Sequence, residues 1–171
     1  MKKFIPLIII IVILIGLFQW GVGLNNTMVE KQQNAKKQWS NVESAYQRRA
    51  DLIPNLVNTV KGYASHEKET LEGVIQARAN ATKTTIDPTN VTPEQMAAFQ
   101  ESQNTLTGAL SRLMVVAERY PDLKANQNFL ELQSQLEGTE NRINVERNRY
   151  NEVATDYNIY VKKFPASLVA N

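Results

Sequence analysis

The chain has 171 residues, enough for one domain with a substantial core, and it contains no cysteine, which excludes disulfide bonds, thiolate nucleophiles and cysteine metal sites. Its net charge of +2 is carried by Lys2 and Lys3, because the rest of the chain has as many acidic as basic residues. So balanced a charge is a poor match for nucleic acid, and we expect no nucleic-acid partner.

An uncharged apolar run covers residues 4–24, directly after the two lysines. As a helix it would be about 31 Å long, close to the hydrocarbon thickness of a bilayer. Trp20 lies near its end, where an aromatic side chain suits the membrane interface. A cleaved signal peptide is the alternative, but the run is long for a signal and has no Ala-x-Ala site. We expect a transmembrane helix.

This run divides the chain into three parts. We expect a short tail at residues 1–3, a transmembrane helix at residues 4–24 and a helical domain at residues 25–171. Lys2 and Lys3 lie closer to the run than the lysines that follow it. Their position favours a cytoplasmic N-terminus and an extracytoplasmic domain.

Three later segments have apolar residues at steps of three and four, over residues 28–77, 96–120 and 129–164. This spacing places an apolar seam along a helix that packs lengthwise against a neighbour. No segment alternates with a period of two, so we expect no strands. The pattern predicts an all-α fold, with an N-terminal transmembrane helix followed by an up-and-down antiparallel bundle of three to four long helices.

Prolines and capping residues mark the predicted helix ends. Thr92, Pro93 and Gln95 form a capping-box pattern that predicts a helix start. Pro121 separates the second helix from a last one, which we expect over residues 122–163. Pro54 lies inside the first segment, where it either kinks the helix or breaks it.

The residue types needed for catalysis are sparse. His66 is the single histidine, and Thr70 stands where a zinc peptidase motif requires a second one. We therefore expect no catalytic, cofactor-binding or metal site and no enzyme activity, and we interpret His66 as a helix-surface or interhelical residue. We interpret Gly108 and Gly138 as points of close backbone approach between helices.

Polar side chains on the first and third segments are candidates for binding or for fixing helix register. Arg49 and Glu146 occupy seam positions, so we expect them to pair inside the bundle. The alternative is a solvated helix face with pairs such as Arg142 and Glu146. The full candidate set is Arg49, Asp51, Asn55, Glu140, Asn141 and Glu146.

Long motifs resemble those of the LemA family. They include Trp39-Ser40, RADLIPNLV at residues 49–57, VKGY at 60–63, His66-Glu67, Ala77-Arg78, LSRL at 110–113, ERYPDLKAN at 118–126, TENRI at 139–143 and Phe164-Pro165. The resemblance implies a single-pass bacterial membrane protein with an up-and-down bundle and no agreed molecular activity. It also implies a short N-terminus outside the cell, so the side of the membrane remains open.

The resemblance also implies an adaptor role, because family members are often encoded near membrane proteins, including metallopeptidases. We therefore expect a membrane-anchored scaffold or adaptor that acts through protein–protein interaction or self-assembly. Its expected partners are the lipid bilayer, a membrane protein or peptidase, and a second copy of the chain. The alternative function is membrane remodelling by a self-assembling protein.

Overall fold

The computed structural model describes residues 5–84, 86–88 and 91–170, with side chains from Leu7 onward. Within these ranges the regular structure is entirely helical, which confirms the all-α prediction. The expected tail at residues 1–3 and Phe4, the first residue of the expected span, lie outside the described residues. The helices are α1 (Ile5–Tyr63), α2 (Lys68–Lys83), α3 (Pro93–Ala117), α4 (Pro121–Lys124) and α5 (Gln127–Lys162), followed by a 3-10 turn at Ala166–Leu168.

The chain forms two compact units. The anchor unit consists of Met1–Gln38 and Asn148–Asn171, and the bundle unit consists of Trp39–Arg147. Helices α1 and α5 each contribute residues to both units.

In the bundle unit, long helices that lie side by side run in opposite directions. Residues later in α1 meet residues earlier in α5, and residues later in α3 meet residues earlier in α2. This order is the predicted up-and-down arrangement. The contacts that set these directions join Arg49 to Glu140, Tyr63 to Asn126, Gln103 to Ala81, and Arg119 to Glu67.

Aliphatic side chains from all the helices of the bundle unit fill its core. Trp39 and Leu106, which the seam pattern places inside, are both buried. Full burial of one large aliphatic side chain contributes about 1.5 to 3 kcal/mol. The largest fully buried side chains are Ile53, Leu56, Leu106, Leu113, Leu123 and Ile143.

Two helix boundaries differ from the sequence prediction. The segment over residues 28–77 is two helices, because the chain turns between Tyr63 and Lys68, and His66 is exposed in that turn rather than on a helix. The last long helix begins at Gln127, because Pro121 starts only the short α4. The side chain of Asn126 then accepts a hydrogen bond from the backbone N–H of Phe129 at 3.0 Å and caps α5.

Other local predictions have mixed outcomes. Thr92 and Gln95 exchange the two hydrogen bonds of a capping box at the start of α3, as predicted. The predicted close approach at Gly108 and Gly138 is wrong, since a Cβ atom at either position would meet nothing within 4 Å. A break at Pro54 is also wrong, because α1 continues through that residue.

The missing N–H of Pro54 has a specific consequence. In a regular helix the carbonyl of Ala50 would accept a hydrogen bond from residue 54, and proline cannot donate one. Arg78 of α2 supplies the donor instead, with its Nε 2.7 Å from the Ala50 oxygen. The proline in α1 is thereby tied to the neighbouring helix.

The anchor unit contains the apolar start of α1. This is the one helix among the described residues that is long and apolar enough to cross a membrane. Its large side chains from Leu7 to Phe18 are exposed, as is Trp20. Near the end of the run, Tyr160 of α5 donates a hydrogen bond to the Leu24 carbonyl at 3.1 Å.

Candidate interaction site

The side chain of Arg49 is the centre of a buried polar cluster, with only 2% of the residue exposed. Its Nη1 donates to Glu140 Oε2 at 2.8 Å and to Thr107 Oγ1 at 3.0 Å. Its Nη2 donates to Gln103 Oε1 at 2.7 Å. A buried cation is tolerated when it is paired and hydrogen-bonded, and here one guanidinium joins α1, α3 and α5.

Gln103 extends this cluster to α2. It is 6% exposed, and its Nε2 donates to the carbonyl of Ala81 at 3.1 Å. Ala81 lies in the last turn of α2, where carbonyls have no partner within the helix. Gln103 lies on the apolar seam of residues 96–120, and that position alone predicts none of its hydrogen-bond partners. The available signal was a polar side chain between two apolar seam residues, Phe99 and Leu106.

The ring of Tyr46 lies over one side of Arg49. The Arg49 Cζ atom lies 5.3 Å from the centroid of the Tyr46 ring, which in turn meets Phe99 edge-on with 5.2 Å between centroids. Burial raises the pKa of Tyr46, and the guanidinium groups of Arg147 and Arg49 offset part of that rise. Tyr46 is therefore neutral near pH 7, and its ring faces the cation as a π system.

A groove of about 700 Å³ lies beside this cluster, and we call it the Arg49 groove. Its polar rim includes Gln47, Arg48 and Asp51 of α1, with Gln47 Nε2 donating to Asp51 Oδ1 at 2.7 Å. Phe99 and Leu106 give it an apolar floor. The remaining lining residues are Ser40, Glu43, Ser44, Tyr46, Ala50, Ala81, Thr82, Thr84 and Gln103.

The ion pair of Arg49 is made with Glu140, whereas we expected Glu146. Both Arg49 and Glu146 are buried, as their seam positions predict. The register of α5, however, places Glu140 level with Arg49. The carboxylate of Glu146 lies 3.8 Å from Arg142 Nε, which is the i, i+4 pair of the alternative interpretation.

The other predicted residues are spread over the molecule. Asp51 is exposed on the rim of the Arg49 groove. Asn55 and Asn141 are exposed and do not line it. Trp20, the predicted interface residue, is exposed near the end of the apolar run.

A second polar cluster joins the helix turns of the bundle unit. Glu67 Oε1 accepts hydrogen bonds from Arg119 Nη2 and from the Tyr120 hydroxyl, each at 3.0 Å. The bond to Glu67 raises the pKa of Tyr120. In the same region Asn126 Nδ2 donates to Tyr63 Oη at 2.9 Å. The motifs at residues 60–63 and 118–126 therefore stabilise turns.

These features define a class of protein: a helical bundle with a long apolar N-terminal helix and a polar groove supported by a buried arginine. The chain belongs to the LemA family, whose family model matches residues 38–171.

The chain is similar to "Protein LemA" of Metamycoplasma hominis, with 28% identity over 164 residues that cover 95% of this chain and 71% of that protein. It is also similar to "Magnetosome protein MamQ 2" of Paramagnetospirillum magneticum, with 26% identity over 162 residues. That match covers 85% of this chain and 60% of the magnetosome protein, so the chain spans less than two thirds of that relative. None of these names denotes an enzyme, and the apolar helix and the family fit a membrane location.

Proposed function

We propose that this protein is a membrane-anchored scaffold. Residues 4–24 span the bilayer, and residues 25–171 present the Arg49 groove to a protein partner, either another membrane protein or a second copy. The observation that carries this proposal is the groove itself, whose open rim lies against a buried network that joins four helices.

The composition of the groove suits a protein partner. Protein interfaces combine an apolar centre, often aromatic, with a polar rim. The partly exposed ring of Tyr46, packed over the buried Phe99, supplies the aromatic surface, and Gln47, Arg48 and Asp51 supply the rim. The hydrogen bonds of Arg49 hold the helices that bear these residues in one arrangement, so the surface is preorganised.

Site-specific photocrosslinking in membranes tests the proposal. A photoreactive amino acid replaces Gln47 on the groove rim, and the matched control replaces Gln133, an exposed glutamine of α5 that does not line the groove. We expect a discrete product of higher mass from position 47 and none from position 133. Mass spectrometry of the product distinguishes a second copy from another protein. A chain that remains monomeric with both probes would contradict the scaffold role.

Membrane remodelling by self-assembly is a second candidate function. The observation that favours it is the exposure of the apolar side chains Phe164 and Leu168 in the anchor unit. Purified full-length protein would then deform vesicles at high protein-to-lipid ratio, visible by electron microscopy. A scaffold leaves vesicle shape unchanged.

A further inference from the structure

The C-terminal end of α5 lies beside the point where α1 leaves its apolar run. Tyr160 donates a hydrogen bond to the carbonyl of Leu24, the last residue of the expected span. Four residues earlier on α5, Asp156 forms an ion pair with Lys31 at 2.6 Å. From Leu24 to Lys31 the chain moves away from the span, and from Asp156 to Tyr160 it moves toward it. Helix α5 therefore runs toward the expected span, and it ends at Lys162, two residues after the bond to Leu24.

These residues are ordered, yet they expose apolar side chains. Phe164 is 77% exposed and Leu168 is 70% exposed. The backbone around them is held by hydrogen bonds from Ser167 N to the Lys163 carbonyl and from Ala170 N to the Ala166 carbonyl. Ala166 is buried and fixes the 3-10 turn within the unit. The exposed side chains thus belong to a folded turn.

Two cations precede the apolar side chains. Lys162 and Lys163 are exposed next to Phe164, and residues 164–171 include no acidic side chain. Lysines beside aromatic and aliphatic side chains are the combination found in segments that lie in the interface of anionic membranes.

We propose that residues 162–169 form a lipid-binding foot. Phe164 and Leu168 insert among the acyl chains of the leaflet where α1 emerges, and Lys162 and Lys163 contact phosphate groups of anionic phospholipids. The height of the foot follows from the bond between Tyr160 and Leu24. The inference rests on the proposed anchor, because α1 must span the bilayer for that height to coincide with the interface.

Nitroxide labels on single cysteines test the foot directly, because the chain has no cysteine of its own. The full chain is reconstituted in vesicles of phosphatidylcholine and phosphatidylglycerol, with Leu168→Cys in the foot and Leu14→Cys in the span. The matched control is Val115→Cys in α3, at a residue that is 69% exposed. We expect labels 168 and 14 to be reached by oxygen better than by a water-soluble nickel complex, and label 115 to show the reverse.

The same labels show whether the lipid-binding foot is wrong while the membrane anchor is right, or whether both are wrong. A label at 168 that behaves like 115, while 14 remains in lipid, overturns the foot and leaves the anchor. Labels 14 and 168 that are both reached by the nickel complex overturn the anchor as well. Protection at 168 that grows with protein-to-lipid ratio, with spin–spin broadening, assigns the surface to a second copy and overturns the lipid assignment.

Lysine variants test the proposed contact of Lys162 and Lys163 with anionic phospholipids. The label stays at 168, and Lys162→Gln is combined with Lys163→Gln. In vesicles that contain phosphatidylglycerol, the ratio of membrane-inserted to water-exposed foot should fall about fivefold per lysine. The same pair causes no shift in pure phosphatidylcholine. The control pair is Lys37→Gln with Lys61→Gln, two exposed lysines of α1. An equal shift from both pairs, or none from either, overturns the contact of Lys162 and Lys163 with anionic lipid.

Discussion

At the scale of single residues, the ion pair of Arg49 and Glu140 is asymmetric. The side chain of Arg49 is 3% exposed, whereas that of Glu140 is 42% exposed. Water therefore stabilises the carboxylate when its partner is removed, but it reaches the guanidinium poorly. The loss of the acid should cost more electrostatically than the loss of the base, since an unpaired buried charge is expensive.

This asymmetry gives the first prediction. Glu140→Ala should lower the free energy of unfolding by about 2 to 3 kcal/mol, because it leaves Arg49 without its carboxylate. The double variant Arg49→Leu with Glu140→Ala should be more stable than Glu140→Ala alone, since no charge is then stranded. Urea unfolding of the full chain in detergent, followed by circular dichroism, measures both.

Lys124→Ala is the control for this prediction, because both side chains of the ion pair between Lys124 and Glu118 are exposed, by 57% and 61%. Removing such a contact should cost no more than about 0.5 kcal/mol. Equal stability of Glu140→Ala and the double variant would contradict the prediction, because it would show that Arg49 without its carboxylate partner does not destabilise the fold.

The pairing of Arg49 with Glu140 could not be predicted from the residue pattern within either segment. The burial of Arg49 and of Glu146 follows from seam positions within each segment. The choice of Glu140 as partner depends on how far α5 is shifted along α1, and no local pattern reports that shift. The hydrogen bonds of Gln103 depend on the same relative positions.

At the scale of helices, Pro54 and Arg78 act on the same backbone carbonyl, that of Ala50. The proline deprives Ala50 of a donor within α1, and the arginine of α2 replaces it. The break that we considered at Pro54 does not occur, because the orphaned carbonyl is satisfied from outside the helix. The continuity of α1 thus depends in part on α2.

A double-mutant cycle tests whether Pro54 and Arg78 are energetically coupled. Arg78→Met should lower the free energy of unfolding by about 1 to 2 kcal/mol by leaving the Ala50 carbonyl without its donor. In a Pro54→Ala background the helix supplies its own N–H, so the same substitution should cost less than half as much. Additive effects of the two substitutions in thermal unfolding would contradict the link between Pro54 and Arg78.

The helical glycines give a third prediction. Gly108 of α3 and Gly138 of α5 have open space where a Cβ atom would lie. Gly108→Ala and Gly138→Ala should each stabilise the protein by about 0.5 to 1 kcal/mol, because alanine loses less conformational entropy in a helix. The reverse change at an exposed position of α3, Ala98→Gly, is the control and should destabilise it by a similar amount. Destabilisation by either alanine would restore a close-packing role for that glycine.

At the scale of the whole molecule, the side of the membrane is the property that limits the choice of partners. The positions of Lys2 and Lys3 predict that the domain lies outside the cytoplasm. With Glu72→Cys, at an exposed position of α2, a membrane-impermeant maleimide should label intact cells without lysis. The unsubstituted chain is the control, because it has no cysteine to react. Labelling only after lysis would favour the outside N-terminus that the family resemblance implies.

The sequence by itself determined the features that depend on residues a few positions apart. The apolar run, the helical periodicity and the capping box of Thr92 and Gln95 are such features, because helix formation and capping are local. Only the tertiary structure decided the partner of Arg49, the donor for Ala50, and the bond between Tyr160 and Leu24. Those features join residues far apart in the chain, and their contacts form only when helices pack in one register.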